Sequence, residues 1–151
     1  MSTPGLHVVV VPSWPRPSGY QNGVVGQGRT LYVAGQIGWD AARGVMPHED
    51  LAGQFAQALD NVLSVVRAAG GRPGDLAKMT VYVTDLPAYR ASLPAIGQAW
   101  KARLGNHFPA MALIGVAGLV EPRALVEIEA VAILDDTLPT DGRTDAGAAS
   151  T

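Results

Sequence analysis

The feature that most constrains the fold is a change in the spacing of apolar residues along the chain. Between residues 49 and 69 they recur every three or four positions, which places them on one face of a helix. Glu49 and Asp50 suit the start of this helix electrostatically, and Gly70-Gly71 suits its end. The predicted helix face consists of Leu51, Phe55, Leu59, Val62 and Val66.

The remaining apolar runs are mostly short and alternating, which is typical of strands. A second helix is predicted from about residue 87 to residue 104, and Pro94 inside it predicts a bend or a restart. The Gln27-Gly28 pair suits a hairpin turn between the second and third strands. The element order is therefore β-β-β-α-β-α-β-β, an α+β domain with a six-stranded mixed sheet. The predicted strands are residues 6–11, 23–25, 30–37, 78–85, 110–116 and 124–134.

Two helices cover only one face of a six-stranded sheet. The strands at 30–37 and 124–133 are more apolar on both faces than a half-exposed strand needs to be. A monomer that exposed such a sheet would be prone to aggregation, so we expect a homo-oligomer that covers it. The low charged fraction, 16%, agrees with hidden surface, although an Ala- and Gly-rich composition explains it equally well.

Length and composition exclude several classes of function. A chain of 151 residues fits one domain, here residues 1–134, and the small polar residues of 135–151 predict a disordered tail. The net charge of −2 and the lack of a long basic run argue against nucleic acid binding. Without cysteine, and with three histidines at spacings unlike those of metal ligands, we expect no metal site and no cofactor.

The first residues predict no export or membrane segment. They lack a basic region, and their apolar run is only about five residues long. We therefore expect a cytoplasmic protein with no membrane partner. With nucleic acid binding also disfavoured, a small-molecule substrate is expected.

Glu127 and Glu129 are the strongest candidates for chemistry. Residues two apart on a strand share a face, so both point away from the apolar set of Val126, Ile128 and Ala130. A carboxylate on a covered face is costly unless it is paired or functional. Acid–base catalysis is one explanation. A salt bridge is the other, with Arg123, Arg29 or a neighbouring subunit as partner.

Four stretches of the chain resemble the Rid (YjgF) family. They are residues 31–37, 57–62 with 68–70, 81–86, and 108–110 with 126–132, and the resemblance extends roughly over residues 17 to 134. It implies a chorismate-mutase-like subunit and a homotrimer, in which three sheets form a central barrel with a cleft between each pair of subunits. The best-known activity of the family is hydrolysis of amino-acid-derived enamines and imines to 2-oxo acids and ammonia.

The resemblance also implies roles for individual residues. Glu127 matches the family glutamate that positions water or transfers a proton, and Glu129 is expected to be structural. Met111 stands where the family's deaminases carry an arginine that binds the substrate carboxylate. Methionine offers no charge or donor, so either Arg123 or Arg103 replaces that arginine, or the substrate lacks a carboxylate. The second reading is favoured here.

Further residues are expected to line the substrate-binding cleft. Tyr20 matches a family tyrosine that reaches a neighbouring subunit, and Gly35 matches a position whose backbone approaches the ligand. Ile37, Trp39 and Leu113 add apolar surface. Leu93 and Ile96 replace an asparagine and an aromatic residue of the family's second helix. The sequence thus predicts an apolar site for an imine, an enamine or a related tautomerisable substrate, or alternatively a ligand-binding trimer without catalysis.

Overall fold

The structure is a computed structural model that describes residues 5–136. The α+β class is confirmed, while the predicted disordered tail lies, from residue 137 onward, outside the described residues. None of the helices in this part of the chain is long and apolar enough to cross a membrane. The elements are β1 (Gly5–Val8), β2 (Val24–Gln27), β3 (Arg29–Ile37), α1 (Leu51–Ala68), β4 (Leu76–Val83), α2 (Leu86–Ala91), α3 (Leu93–Leu104), β5 (Ala110–Gly115) and β6 (Val126–Leu134).

The six strands of the described residues form two sheets and not the single sheet expected. Strands β3, β6, β4 and β5 lie side by side in that order, and β1 pairs antiparallel with β2. Within the four-stranded sheet β4 and β5 are parallel, while β6 runs antiparallel to both of its neighbours. The mixed character of the sheet is therefore as predicted.

Gly28 explains the division, and it makes the predicted hairpin wrong. It is the only residue between β2 and β3, and one residue is too short to reverse the chain between paired strands. Its φ of 146° suits glycine, and a Cβ there would collide with the carbonyl oxygen of Leu134. The chain therefore bends at Gly28, so that β2 pairs with β1 and β3 pairs with β6.

Helix α1 supplies the centre of the core. Its amide at Gly53 is capped by the Asp50 side chain at 2.9 Å, which is why the helix begins at Leu51 and not at Glu49. The helix packs against β3 and β6. All five residues of the predicted face are buried, namely Leu51, Phe55, Leu59, Val62 and Val66.

The second helical stretch restarts where the sequence predicted a disturbance. It divides at Ser92, and Pro94 lies in the first turn of α3, where its missing N–H leaves no helical bond unmade. Trp100 of α3 is buried and stacks on Phe108 with ring centroids 5.7 Å apart. This contact fixes α3 beside the loop that leads into β5.

The two faces of the four-stranded sheet differ as the sequence predicted. Val126, Ile128 and Ala130 point toward the helices and are buried. We call the opposite side the open face, and there the side chain of Tyr32 is 79% exposed and that of Ile114 is 44% exposed. By strand register the open face comprises Thr30, Tyr32, Ile37, Lys78, Thr80, Tyr82, Ala110, Ala112, Ile114, Glu127, Glu129, Val131 and Ile133.

Candidate functional site

Glu127 lies half-buried on the open face, between two neighbouring strands. Ile37 of β3 is opposite it on one side, and Tyr82 of β4 is opposite it on the other. Its carboxyl group rests on the backbone of Gly35, because a Cβ built at Gly35 would lie 2.8 Å from Glu127 Cδ and closer still to Oε1. The absence of a side chain at Gly35 therefore makes room for the Glu127 carboxylate.

Tyr82 is a neighbour of both carboxylates that the sequence analysis did not identify as a site residue. Its hydroxyl donates a hydrogen bond of 2.6 Å to Glu129 Oε1, across the diagonal between β4 and β6. This hydrogen bond raises the pKa of Tyr82, and burial and the charges of Glu129 and Glu127 add to the effect. A hydrogen bond with Thr80 opposes the rise.

The salt bridges considered for these two glutamates are not formed in the part of the chain that the structure describes. Neither Glu127 nor Glu129 lies within salt-bridge distance of a cation of residues 5–136. Arg123 instead binds Glu121, with Nε 2.9 Å from Oε1, and this hydrogen bond lowers the pKa of the Glu121 carboxyl. Glu127 is thus left with oxygen atoms that can accept a proton or a water molecule.

Met111 and Leu113 lie in a different place from Glu127. They pair with Met79 and Val81 of β4, which point into the core, and both pack against the core from the helix side. Met111 is therefore on the opposite face of the sheet from Glu127, two strands away and three residues along. Standard strand dimensions put their Cα atoms about 14 Å apart.

Tyr20 lies at the same edge of the sheet as Met111. The adjacent Gln21 donates its backbone N–H to the Pro109 carbonyl at 3.0 Å and forms a bridge with Ala110. The side chain of Tyr20 is 42% exposed. The predicted site residues thus form two groups, one around Glu127 on the open face and one around Met111 at the β5 edge.

Trp39, Leu93 and Ile96 lie outside the two groups around Glu127 and Met111. Trp39 follows the end of β3, where Asn61 Nδ2 donates to the carbonyls of Ile37 at 3.0 Å and Trp39 at 2.7 Å. Asn61 was part of a family-like stretch, but nothing in the sequence showed that it binds this loop. Ile96 is buried in the core and Leu93 is 48% exposed on α3, so only Leu93 offers accessible apolar surface.

The two arginines considered as replacements for Met111 are engaged elsewhere. Arg103 binds Asp60 of α1 with two hydrogen bonds of 2.6 and 2.9 Å, which raise the pKa of its guanidinium. Arg123, bound to Glu121, borders a cavity of about 290 Å³ beside the start of α1, together with Met46, His48, Glu49 and Gln54. Residues 5–136 contain no cluster of three His, Asp or Glu side chains that could hold a metal ion.

Comparison with known proteins gives consistent results over most of the chain. The profile of a family described as Endoribonuclease L-PSP matches residues 14–134. An Escherichia coli protein named 2-iminobutanoate/2-iminopropanoate deaminase is 38% identical over 106 residues, covering 70% of this chain and 80% of the relative. A Dermatophagoides farinae protein of the same name is 30% identical over 128 residues, covering 85% and 96%.

A solved structure is similar over nearly its whole length. The crystal structure of YyfB from Yersinia pestis, described as a Rid-family protein of unknown function, superimposes with a TM-score of 0.75. Its sequence is 36% identical, and the match covers 86% of this chain and 99% of that one.

Proposed function

The chain belongs to the Endoribonuclease L-PSP family, which includes the Rid (YjgF) proteins, and we propose that it hydrolyses a small imine or enamine. Relatives of 30–38% identity that are named deaminases support this class of reaction. The observation that carries the proposal is the Glu127 carboxylate, which has no salt-bridge partner among residues 5–136 and rests against Gly35 beside the exposed part of the sheet.

Hydrolysis of an imine needs proton transfer at two points. Water adds to the C=N carbon while a base takes one of its protons and passes it to the nitrogen, which gives a carbinolamine. The hydroxyl proton of the carbinolamine then moves to the nitrogen as the C=O bond forms, the C–N bond breaks and ammonia leaves, so that one imine and one water give one carbonyl compound and one ammonia. In the proposed mechanism Glu127 carries the proton from oxygen to nitrogen in both steps, a role suited to a carboxyl group in a partly desolvated site.

We further propose that the working site lies between subunits of a homotrimer. Within one chain Glu127 and Met111 are on opposite faces of the sheet, so a single subunit does not bring them together. If both contact one substrate, the Glu127 group comes from one copy and the Tyr20–Met111 group from the next. The exposed apolar residues of the open face support such an assembly.

The proposed substrate lacks a carboxylate. Met111 replaces the arginine that binds the carboxylate in the family's deaminases, and Arg103 is held by Asp60. Without a charge-assisted contact worth roughly 1.5–3 kcal/mol, a 2-imino acid gains little at this position. An imine of a simple aldehyde or ketone fits an apolar contact with Met111 better.

A second function is a trimer that binds a small ligand without catalysis. The same methionine favours it, because a site without the expected arginine lacks the group that would bind the substrate carboxylate during the reaction. A compound that raises the melting temperature but is recovered unchanged, with no imine turned over, would favour this alternative.

The test is hydrolysis of imines in competition with semicarbazide. An amino-acid oxidase generates 2-iminobutanoate, and a flavin amine oxidase generates the imine of propylamine, which has no carboxylate. We expect the protein to suppress semicarbazone formation from the second imine and not from the first. Glu127→Gln should lose activity by about 100-fold or more.

Glu121→Gln is the matched control, because it neutralises a half-buried carboxylate that binds Arg123 and belongs to neither the Glu127 group nor the Met111 group. It should retain the wild-type rate. Suppression of semicarbazone formation from 2-iminobutanoate would show that a group other than Met111 binds the substrate carboxylate. Failure with both imines, or full activity of Glu127→Gln, would contradict the proposed reaction.

A further inference from the structure

Two chemically identical carboxylates lie close together on the open face, and the structure distinguishes them. Glu129 accepts a 2.6 Å hydrogen bond from the Tyr82 hydroxyl. The side-chain carboxylate of Glu127 accepts no hydrogen bond from any of residues 5–136. One carboxylate is therefore restrained by a donor, while the other keeps its lone pairs for an external group.

The strand register explains how Tyr82 reaches one glutamate and not the other. Tyr82 is directly opposite Glu127, whereas Thr80 is directly opposite Glu129. The tyrosine side chain is long enough to extend along the sheet to the diagonal position. Its hydroxyl therefore bonds Glu129, and its ring lies next to Glu127.

Such a bond has consequences for both of its partners. A hydroxyl donor to a carboxylate is among the stronger hydrogen bonds in proteins, and 2.6 Å lies in the short range expected for this type. The raised pKa of Tyr82 is consistent with a phenol that stays protonated to donate. Without the hydroxyl, Glu129 would be free to rotate and to compete with Glu127 for a proton or a water molecule.

We propose that Tyr82 is a positioning residue, which holds Glu129 so that Glu127 is the carboxyl that exchanges protons with the substrate. This inference rests on the proposed function, because it assigns a role within the same site. Tyr82 acts through the glutamates and does not itself contact the reacting atoms.

The first test is independent of activity. The four tyrosines can be followed by ¹³C NMR of protein labelled at Cζ, from about pH 8 to about pH 12, with Tyr82→Phe identifying the Tyr82 signal. We expect the pKa of Tyr82 to fall toward that of a free phenol in Glu129→Gln. The pKa of Tyr89, raised by burial on α2, should not change and serves as the internal control.

The surroundings of Tyr82 make this titration interpretable. The ionisable groups on the same face are Glu127 and Glu129 on β6 and Lys78 on its own strand, while β5 contributes only the apolar Ala110, Ala112 and Ile114. Glu129→Gln changes one of these groups without altering the size of the side chain. An unchanged Tyr82 signal in this variant would overturn the inference.

The second test uses the imine that the wild-type protein hydrolyses. Tyr82→Phe keeps the ring and removes only the hydroxyl, and we expect it to lower kcat by about tenfold with little change in KM. Because the hydroxyl is proposed to act only by restraining the Glu129 carboxylate, adding Glu129→Gln to Tyr82→Phe removes the competing carboxylate and should restore most of the lost kcat. Tyr89→Phe should match the wild type.

The outcomes separate this inference from the proposed function. If neither the wild-type protein nor any variant hydrolyses an imine, the proposed function fails. The NMR titration alone then decides whether Tyr82 restrains Glu129. If Glu127→Gln is inactive while Tyr82→Phe has the wild-type kcat, the proposed reaction is supported and the positioning role of Tyr82 is contradicted. A double variant that is as slow as Tyr82→Phe, or slower, would also overturn it.

Discussion

At the scale of single residues, the site depends on three small differences in chemistry. Gly35 leaves space that the Glu127 carboxylate occupies, and Tyr82 bonds one glutamate and not the other. By the family resemblance, Met111 puts an apolar thioether where we expect a guanidinium in the deaminases. In the proposed site, each of these residues changes what can bind without altering the sheet that carries it.

Met111→Arg is the residue-scale prediction for specificity. A new guanidinium at this position should contact a substrate carboxylate, and such a contact of roughly 1.5–3 kcal/mol corresponds to a gain of about 10- to 100-fold. We expect the ratio of kcat/KM for 2-iminobutanoate to that for the propylamine-derived imine to rise by this factor. Met111→Leu is the control, and an unchanged ratio in the arginine variant would contradict the assigned position of Met111.

At the scale of elements, buried side-chain amides fix the loops that surround the sheet. Gln54 of α1 is 1% exposed, and its Nε2 donates to the carbonyls of His48 at 3.1 Å and Arg123 at 3.0 Å. Its Oε1 accepts the Leu125 N–H at 2.8 Å. This one side chain therefore ties α1 to the loop before it and to the segment that enters β6, the strand carrying Glu127.

Gln54→Ala should destabilise the fold substantially. It leaves three backbone groups without their partners, and the free energy of unfolding should drop by about 3 kcal/mol. Urea denaturation monitored by tryptophan fluorescence measures this change. Gln98→Ala, at an exposed position of α3, should cost less than about 0.5 kcal/mol, and equal effects of the two substitutions would refute the role of Gln54.

At the scale of the whole molecule, the exposed side of the sheet is the feature that a single chain leaves unexplained. It carries exposed aromatic and aliphatic side chains beside two glutamates that form no salt bridge with the described part of the chain. Packing of copies against this face would bury the apolar residues and place Glu127 at an interface. Assembly and the completeness of the proposed site are therefore linked.

Sedimentation equilibrium tests this link. We expect the mass of three 15.7 kDa chains for the wild type. Ile114→Glu adds a charge to the open face and should shift the population toward monomer, with loss of imine hydrolysis. Val120→Glu makes the same change at a fully exposed loop position and should stay trimeric. A wild-type protein that is monomeric and still hydrolyses imines would exclude an inter-subunit site.

The sequence by itself determined which residues share a face. The spacing of Leu51, Phe55 and Leu59 placed α1 on the core, and strand alternation placed Glu127 and Glu129 together on the other side. Both patterns are local, because helix and strand geometry repeat within a few residues. For the same reason Pro94 indicated a restart of the second helix.

Only the tertiary structure decided which residues meet across strands. Register between β4 and β6 brings Tyr82 to Glu129, although the two residues are 47 positions apart. The bend at Gly28 and the placement of Met111 opposite Met79 depend likewise on pairing between distant segments. Local periodicity fixes the direction of a side chain, but its neighbours depend on long-range packing, and these neighbours decide what the site can do.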